Sequence, residues 1–424
     1  MEPFRYRAIL AAAVMPLALM FGCQTNTGTA PDQPDAGARG FTPEIVAAPA
    51  GKTAPVPRPA PVPVPLPRTA PVPPPRAIAV SDKHTAGPQQ IAALRARYRR
   101  PAAVDYPADN PFSEAKATLG KMLFFETALS SSRTYSCATC HGPTRSWADG
   151  LPLAIGETGQ PLTLRTPTLI DIWTVPVLGW EGKFPDLESV AFAPILGVGN
   201  MNMPSDTEVV NRIAALPRYA SAFAAAFGTP EVTRRKIELA LATFERTIVA
   251  GEAPFDRWIM GEEDAIDAAA KRGFALFNGK ANCAACHRGP SFTDGSFHDV
   301  GVATGDDIGR GRDFPQSEKL RYAFKTPTLR DVARRAPYMH DGSIASLPEV
   351  IALYDRGGIE RPSRSDEIRP LHLSDQEKRD LLAFLDTLTA TPAPAVSQAG
   401  PQPASQPASQ PASQPESQPQ QQQR

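Results

Sequence analysis

The spacing of apolar residues predicts a helical body between about residues 90 and 390. From Ser113 to Phe125, apolar side chains recur at intervals of three and four, as on one face of a helix. Another helix is predicted to begin at Thr229-Pro230, a cap followed by a first-turn proline, and to end at Gly251. Its buried face would carry the apolar residues Ile237, Leu241, Phe244 and Ile248.

Two further helix starts are marked by capping boxes, in which a serine precedes a glutamate by three positions. They are Ser346 with Glu349 and Ser374 with Glu377, each before an apolar run. Strand-like alternation is nearly absent, and long loops that contain glycine and proline separate the helices. The pattern therefore predicts an all-α fold with long loops.

The two flanking segments have compositions that cannot build a core. Of the 47 prolines, many fall between Ala54 and Pro75, where nearly every second residue is proline. Such a run favours an extended polyproline II spacer. We therefore expect residues 23–88 to be a disordered linker acting as a stalk, rather than a docking site for a proline-binding domain. Residues 391–424 are expected to be a disordered low-complexity tail.

The first 22 residues are typical of an export signal. Basic residues precede an apolar stretch that is too short, and too interrupted by Pro16, to span a membrane. Gly22 followed by Cys23 resembles a lipoprotein cleavage site, which predicts a lipid anchor on Cys23. The alternative is an ordinary signal peptide with a cysteine nearby. Under both interpretations the mature chain lies outside the cytoplasm.

The balance of charged residues indicates which kinds of macromolecule the protein could bind. The chain carries 44 basic and 44 acidic side chains. Zero net charge argues against nucleic-acid binding, which normally requires a basic face. It still allows a local patch that docks a redox partner.

The helical body repeats one arrangement of motifs. Cys-x-x-Cys-His occurs at residues 137–141 and 283–287 and uses four of the five cysteines. Each copy follows a helix that ends in bulky apolar residues and precedes a near-identical phrase, RTPTLID or KTPTLRD. We therefore predict two copies of one helical unit, an N-terminal domain over residues 89–261 and a C-terminal domain over residues 262–390.

The spacing of these cysteines and histidines indicates c-type haem. Two thiols three positions apart can bond the two vinyl groups of one haem, and the histidine that follows can ligate its iron. A zinc site would need the two cysteine pairs closer than the 146 residues that separate them, and a thioredoxin-like dithiol would need a βαβ unit. The prediction is two covalent haems, held by Cys137, Cys140 and His141 and by Cys283, Cys286 and His287.

The second axial position of each iron decides the function. An iron with both positions occupied carries electrons, whereas an open iron can react with a substrate. Four histidines remain, His84, His298, His340 and His372, of which His298 and His340 lie in loops that could face a haem. The residues alone leave the second ligands open.

The longer motifs resemble the bacterial di-haem cytochrome c peroxidase and MauG family. The matching stretches are LGKMLFFETALSSSRTYSCATCHGP, RTPTL, GWEGKFPDLESVAFAPI and KTPTLRDVARRAPYMHDGSIASLPEVIALYDRGG, followed by a closing helix through LLAFLDTLTA. They keep the family order over about residues 105–390. The resemblance implies two tandem cytochrome-c-like domains, with a catalytic N-terminal haem that meets peroxide and a six-coordinate C-terminal haem that relays electrons. It also places Trp180 between the haems, a core aromatic being the alternative.

The resemblance further implies that Tyr354 is the second ligand of the C-terminal haem iron. Tyr354 stands fourteen residues after His340, where the peroxidase branch has methionine and the MauG-like branch has tyrosine. Phenolate is an established haem ligand. Tyr354 also shares a helix face with Leu347 and Ile351, so a role in the core is one alternative, and Met339 is a weaker candidate ligand.

Two departures from the family concern the N-terminal haem. The peroxidase branch has a histidine ligand in the loop after the first haem motif, but DGLPLAIGETGQPLTL has none, which implies a haem that is open without reductive activation. Pro194 matches the distal proline of the family, but Asn200 stands six residues later, where the family has a proton-accepting glutamate. Asparagine can orient peroxide by hydrogen bonding but cannot take its proton.

Other residues could complete or close this site. Glu157 or Glu181 could replace the missing carboxylate, whereas Met201 or Met203 could cap the iron through a thioether. The family also binds calcium between its domains. That site is doubtful here, because Arg165 stands where an asparagine ligand is expected.

Together these inferences predict a periplasmic, lipid-anchored oxidoreductase, with the outer membrane favoured because glutamine follows Cys23. It would reduce hydrogen peroxide, or use peroxide to oxidise a substrate, at the His141 haem, with electrons passing through Trp180 from the Tyr354-ligated haem. The expected partners are peroxide and a small periplasmic electron donor (a cytochrome c or a cupredoxin) or a protein substrate, with no nucleic acid. The alternatives are a non-catalytic di-haem electron carrier and, third, a haem-bearing binding module.

Overall fold

The computed structural model describes residues 88–390, so the predictions for residues 1–87, including Cys23, and for residues 391–424 lie outside the described part. Its α-helices are α1 (Pro88–Tyr98), α2 (Glu114–Phe124), α3 (Cys137–Cys140), α4 (Leu187–Val190), α5 (Phe192–Leu196), α6 (Asp206–Ala214), α7 (Pro217–Phe227), α8 (Arg234–Arg246), α9 (Pro254–Ile259), α10 (Ala268–Asn278), α11 (Leu347–Arg356) and α12 (Asp375–Asp386). None of the described helices has the length and apolar character needed to cross a membrane.

The remaining regular structure is short. The only sheet within residues 88–390 pairs β1 (Phe297–His298) with β2 (Phe324–Lys325) in antiparallel register. The 3-10 helices span Thr127–Leu129, Pro143–Arg145, Ile172–Thr174, Glu263–Ala265, Cys283–Ala285, Arg310–Arg312, Glu318–Leu320 and Val332–Arg334. The predicted all-α fold with long loops is confirmed.

The predicted helix caps are mostly confirmed, with one helix starting later than expected. Both capping boxes, at Ser346 and Ser374, are present. The helix predicted from Thr229-Pro230 begins instead at Arg234, where the Thr233 hydroxyl accepts a hydrogen bond from the Lys236 N–H. The Lys236 ammonium donates to Thr229 Oγ1 and the Glu231 carbonyl, both at 2.8 Å, and so holds this segment as a loop. The helix also ends earlier than predicted, at Arg246 rather than at Gly251. The predicted apolar residues are all under 7% exposed: Ile237, Leu241 and Phe244 on α8, and Ile248 just beyond its end.

Each half of the body is built on two helices that cross in close contact. Helix α2 crosses α8, and α10 crosses α12. At the crossings, a Cβ on Gly120 would lie 1.9 Å from the Ala240 carbonyl oxygen, and a Cβ on Gly273 would lie 1.9 Å from the Asp380 carbonyl oxygen. Only glycine allows backbones to approach this closely, so the same packing device occurs in both repeats.

The two halves have separate hydrophobic cores. The first includes residues of α2, α6, α7 and α8, and the second includes residues of α10, α11 and α12. The second core also takes in Tyr98, whose ring stacks on Phe292 at 5.0 Å, and residues of α9 such as Trp258. Tyr98 and α9 come before the domain boundary that we predict between residues 261 and 262, but they pack into the core of the second half. Their aromatic contacts place them there.

The repeats meet through equivalent backbone positions. The Arg165 N–H donates to the His340 carbonyl at 2.9 Å, and the Lys325 N–H donates to the Trp180 carbonyl, also at 2.9 Å. Arg165 and Lys325 open the two repeated phrases, and Trp180 and His340 each follow fifteen residues later. This reciprocal exchange joins the segments that follow the two cysteine-histidine motifs.

Candidate functional site

The first cysteine-histidine motif holds its histidine ring in a defined orientation. Cys137 and Cys140 lie on α3, and the His141 N–H donates to the Cys137 carbonyl at 2.8 Å. His141 Nδ1 lies 3.2 Å from the Trp147 carbonyl oxygen. Burial lowers the pKa of His141, which keeps the ring neutral. With Nδ1–H donating to the carbonyl, the lone pair of Nε2 is free to bind a metal.

The second motif repeats this arrangement. His287 Nδ1 lies 2.9 Å from the Phe292 carbonyl oxygen, and burial lowers the pKa of His287. Trp147 and Phe292 both adopt left-handed backbone conformations, with φ of 57° and 51°. Sequence reasoning missed these two residues because they act through main-chain carbonyls, which side-chain patterns do not reveal.

A cavity surrounds the second motif and contains most of the predicted site residues of that half. Its lining includes Cys283, Cys286, His287, Tyr354 and Trp180. Apolar side chains such as Ile172, Leu347 and Leu381 form much of the remaining wall. Two thiols, an imidazole and a phenol around an apolar space fit a flat apolar ring system that is bound through both thiols and ligated axially.

Among the candidate second ligands in this cavity, Tyr354 is the one whose polar atom is not engaged. Burial raises the pKa of the Tyr354 phenol, and the nearby Cys283 and Cys286 raise it further. By contrast, His298 Nε2 lies 2.9 Å from Asp294, whose hydrogen bond raises the pKa of His298 to about 10. Because the Asp294 carboxylate already engages Nε2 of His298, Tyr354 is the better candidate.

The other two candidates are His340 and Met339. His340 Nε2 lies 2.6 Å from an Asp307 carboxylate oxygen, and its ring stacks on Phe324 at 3.6 Å. The carboxylate contact and the stacking occupy the imidazole. Met339 also lines the cavity, so a thioether remains the rival of Tyr354.

One cluster in the same half has the composition of a metal site. The ligand atoms of Cys286, Asp294 and His298 lie within 4.8 Å of one another. Bonding of the Cys286 sulfur to a haem vinyl group would convert the thiol to a thioether and weaken this set. These three residues could therefore bind a metal ion only if Cys286 is not attached to a haem.

Trp180 lies in the wall of the cavity around the second motif. It is 8% exposed, and its Nε1–H donates to the Arg165 carbonyl at 2.8 Å. Thr166, which follows Arg165, donates to Asp149 at 2.6 Å, and the Leu169 N–H donates at 3.3 Å to the Trp147 carbonyl that also contacts His141 of the first motif. One short segment therefore connects Trp180 to both cysteine-histidine motifs.

Pro194 and Asn200 lie in the first half and do not line the second cavity. Pro194 is exposed, and its carbonyl accepts a hydrogen bond from the Met201 N–H at 3.1 Å. Met201 and Met203 are only 5% and 3% exposed and pack in the first core. That packing engages both methionines, which makes them poor candidates to cap an iron.

The structure separates the two glutamates that could replace the missing carboxylate. The Glu157 N–H donates to the Asn200 carbonyl at 2.9 Å, and its side chain accepts from the Ser132 hydroxyl at 2.9 Å. Glu181 is buried and forms an ion pair with Lys183 at 2.7 Å. Glu157 is therefore the better candidate, since it adjoins the Asn200 loop.

A third carboxyl group, which sequence reasoning missed, lies near the first motif. Glu245 on α8 is 9% exposed, and burial raises its pKa to about 8. Its charge also contributes to raising the pKa of Cys137, after the larger effect of burial. The apolar stripe of α8 is readable from sequence, but a polar residue beside that stripe could be assigned to the motif only from the fold.

Comparisons with known proteins agree with this arrangement. Residues 114–264 match the family described as di-haem cytochrome c peroxidase, and residues 270–389 match the cytochrome c family. The methylamine utilization protein MauG of Methylorubrum extorquens is 51% identical over 310 residues, which cover 73% of this chain and 88% of that protein. Cytochrome-c peroxidase IdrP1 of Denitromonas iodatirespirans is 34% identical, covering 68% of this chain and 85% of its own.

A solved structure gives the same result at the level of the fold. The crystal structure of a MauG-like protein associated with microbial copper homeostasis superimposes with a TM-score of 0.64 at 31% identity, covering 69% of this chain and 94% of that chain. The predicted pair of cytochrome-c-like domains is thereby confirmed, and the family implies haem c as the cofactor. The chain is an enzyme of the di-haem oxidoreductase type, and it belongs to the di-haem cytochrome c peroxidase and MauG family.

Proposed function

We propose that the protein uses hydrogen peroxide as its oxidant at a haem held by Cys137, Cys140 and His141, and that electrons reach this haem from one held by Cys283, Cys286 and His287. The haems, when bound, supply the redox chemistry: one iron reacts with peroxide and the other stores and passes electrons. The observation that carries the proposal is the position of Trp180, in the wall of one cavity and bonded to the segment that reaches the other motif. Peroxide consumption by the mature protein with an added electron donor tests it.

The residues of the chain have distinct tasks in this proposal. His141 and His287 present Nε2 to iron because their Nδ1 atoms are held by main-chain carbonyls. Trp180 offers an aromatic ring between the sites, and Asn200 offers an amide that can orient peroxide. Reduction of one peroxide to two waters consumes two electrons and two protons, so a donor is required. We propose a cytochrome c, a cupredoxin or an oxidisable protein substrate as that donor.

We further propose that Tyr354 ligates the second iron. Tyr354→Phe is expected to convert a low-spin haem to a high-spin one, because phenylalanine has no ligating atom. Tyr354→Met is expected to restore a low-spin iron with a higher reduction potential, because a neutral thioether stabilises the reduced state more than an anionic phenolate does. Optical and electron paramagnetic resonance spectra with a redox titration measure both effects. Spectra indifferent to both substitutions would assign Tyr354 to the core.

A non-catalytic electron carrier is the second candidate, favoured by one observation. Asn200 stands where the family has a glutamate, and its amide cannot accept a proton. A carrier would have both irons six-coordinate and would not consume peroxide, so the ferric spin state separates the candidates.

We also propose that the protein is exported to the periplasm and anchored by lipid on Cys23, with the outer membrane as its destination because residue 24 is glutamine. Cys23→Ser is expected to move the protein from the membrane fraction to the soluble periplasmic fraction, because the thiol that would carry the lipid is absent. Fractionation with immunodetection measures the change. Partitioning that stays the same in the variant would rule out the anchor.

A further inference from the structure

The cavity around the second motif has buried cations in its wall. Arg165 and Arg335 line it and are 6% and 7% exposed, and Lys325, 8% exposed, lies in the same wall. Burial lowers the pKa of Lys325 to about 8. Burial also lowers the pKa of Arg335 to about 10, and the nearby positive charge of Arg165 lowers it too. Positive charge is thus concentrated where water has been removed.

Within residues 88–390, neither arginine forms an ion pair with a carboxylate. A guanidinium Nη of Arg165 donates to the Arg335 carbonyl, and one of Arg335 donates to the Thr328 carbonyl. The Nε atoms of both arginines are buried and have no hydrogen-bond partner. Two carboxylates are near. Asp149 accepts from the Thr166 hydroxyl at 2.6 Å, and Asp331 accepts from the Ala390 N–H at 2.8 Å.

The other buried arginines of the described chain are each paired with a carboxylate. Arg330 donates twice to Asp256, at 2.8 and 2.9 Å, and Arg246 donates twice to Glu188, at 2.7 and 2.9 Å. A buried charge without a counter-ion is strongly unfavourable. Arg165 and Arg335 differ in having no directly paired carboxylate among residues 88–390, which leaves room for an anion from outside the chain.

We propose that Arg165 and Arg335 form a carboxylate-binding pair for the propionate groups of the haem attached at Cys283 and Cys286. A guanidinium matches a carboxylate in shape and can donate two parallel hydrogen bonds to it. Arg165 belongs to the first repeat and Arg335 to the second, so the pair ties the haem of one half to the backbone of the other. The proposal rests on haem attachment to the second motif, which is part of the proposed function, and not on peroxide chemistry.

The same geometry bears on calcium. Two guanidinium groups within one hydrogen-bonded unit repel a divalent cation, so the interface between the halves is an anion site. Arg165 stands where the family resemblance predicts an asparagine ligand of calcium. We infer that guanidinium charge takes the place of a divalent cation in this chain.

The test is a redox titration of the mature di-haem protein. Positive charge beside an iron favours its reduced state, so Arg165→Gln and Arg335→Gln are each expected to lower the reduction potential of the second haem. The expected change is a factor of about ten in the equilibrium constant for reduction, which is 59 mV for one electron. Arg165→Lys keeps the charge without the fork and is expected to shift the potential less than Arg165→Gln does.

Arg334→Gln is the matched control, because Arg334 is the exposed neighbour of Arg335. It should leave the potential unchanged, since solvent screens its charge. Shifts in the glutamine variants no larger than in this control would overturn the proposal. Mass spectrometry of the wild type establishes the second haem independently, and loss of peroxide activity alone has no bearing on the result.

If the glutamine variants fail to mature, the calcium content of the wild-type protein provides a second test. Treatment of the wild-type protein with a calcium chelator is expected to change neither its spectrum nor its potential, and the protein should contain no stoichiometric calcium. One bound calcium per chain, with a spectral change when it is removed, would show that a cation and not the arginine pair occupies the interface.

Discussion

Replacing Cys137 and Cys140 together with alanine is expected to leave a protein with one haem, a low-spin spectrum and no peroxide turnover. The substitutions remove both thiols that would attach the first haem, and His141 alone would not retain it covalently. The second motif packs against a separate hydrophobic core, so it should still mature. Mass spectrometry counts the haems, and peroxide consumption with an added donor reports activity.

The matched control is the pair of substitutions Cys283→Ala and Cys286→Ala. This variant should keep the high-spin signal of an open haem and lose the low-spin signal. Turnover should fall because electrons no longer reach the first site through the second. Two haems by mass in either variant, or unchanged turnover in the first, would contradict the assignment of catalysis to the His141 haem.

Asn200→Glu is expected to accelerate peroxide consumption by about tenfold or more, because it supplies a proton acceptor at the position where the family has one. A well-placed base contributes a factor of about 100 or more, and a grafted one is imperfectly placed. The loop should hold its place: a Cβ on Gly156 would lie 1.5 Å from the Gly199 carbonyl oxygen, which shows how tightly the neighbouring loop packs against it. Stopped-flow measurement of peroxide disappearance gives the rate.

Asn200→Gln is the control for this substitution, since glutamine has the shape of glutamate without its basicity. It should be no faster than the wild type. An Asn200→Glu rate equal to that of Asn200→Gln would show that proton transfer at this position does not limit the reaction. In that case Glu157→Gln should slow a wild type that is already fast, because Glu157 adjoins the Asn200 loop.

The motifs, the helical class and the capping boxes could be predicted from sequence because each is a local pattern. Cys-x-x-Cys-His and Ser-x-x-Glu work through neighbouring residues, and the apolar stripe of α8 depends only on helical spacing. The start of α8 could not be predicted, because the long side chain of Lys236 reaches back to hold the preceding loop. Propensity favoured Thr229-Pro230, but contacts of a side chain in the first turn of α8 decided the boundary.

Long-range contacts limited the prediction of the site. Arg335 is one of two adjacent arginines, and no feature of the neighbouring sequence distinguishes it from the exposed Arg334. Its burial depends on the second repeat folding against the Arg165 segment of the first. Trp147 and Phe292 were missed for a different reason, since they hold the histidines through backbone carbonyls and not through their side chains.

Peroxide consumption by the mature wild-type protein, followed with its ferric spin state, tests the central claim most directly. The account predicts one high-spin and one low-spin haem per chain, and donor-dependent loss of peroxide that is faster than the uncatalysed reaction. Two low-spin haems and no consumption of peroxide with either a cytochrome c or a cupredoxin as donor would contradict it, and would identify the protein as an electron carrier.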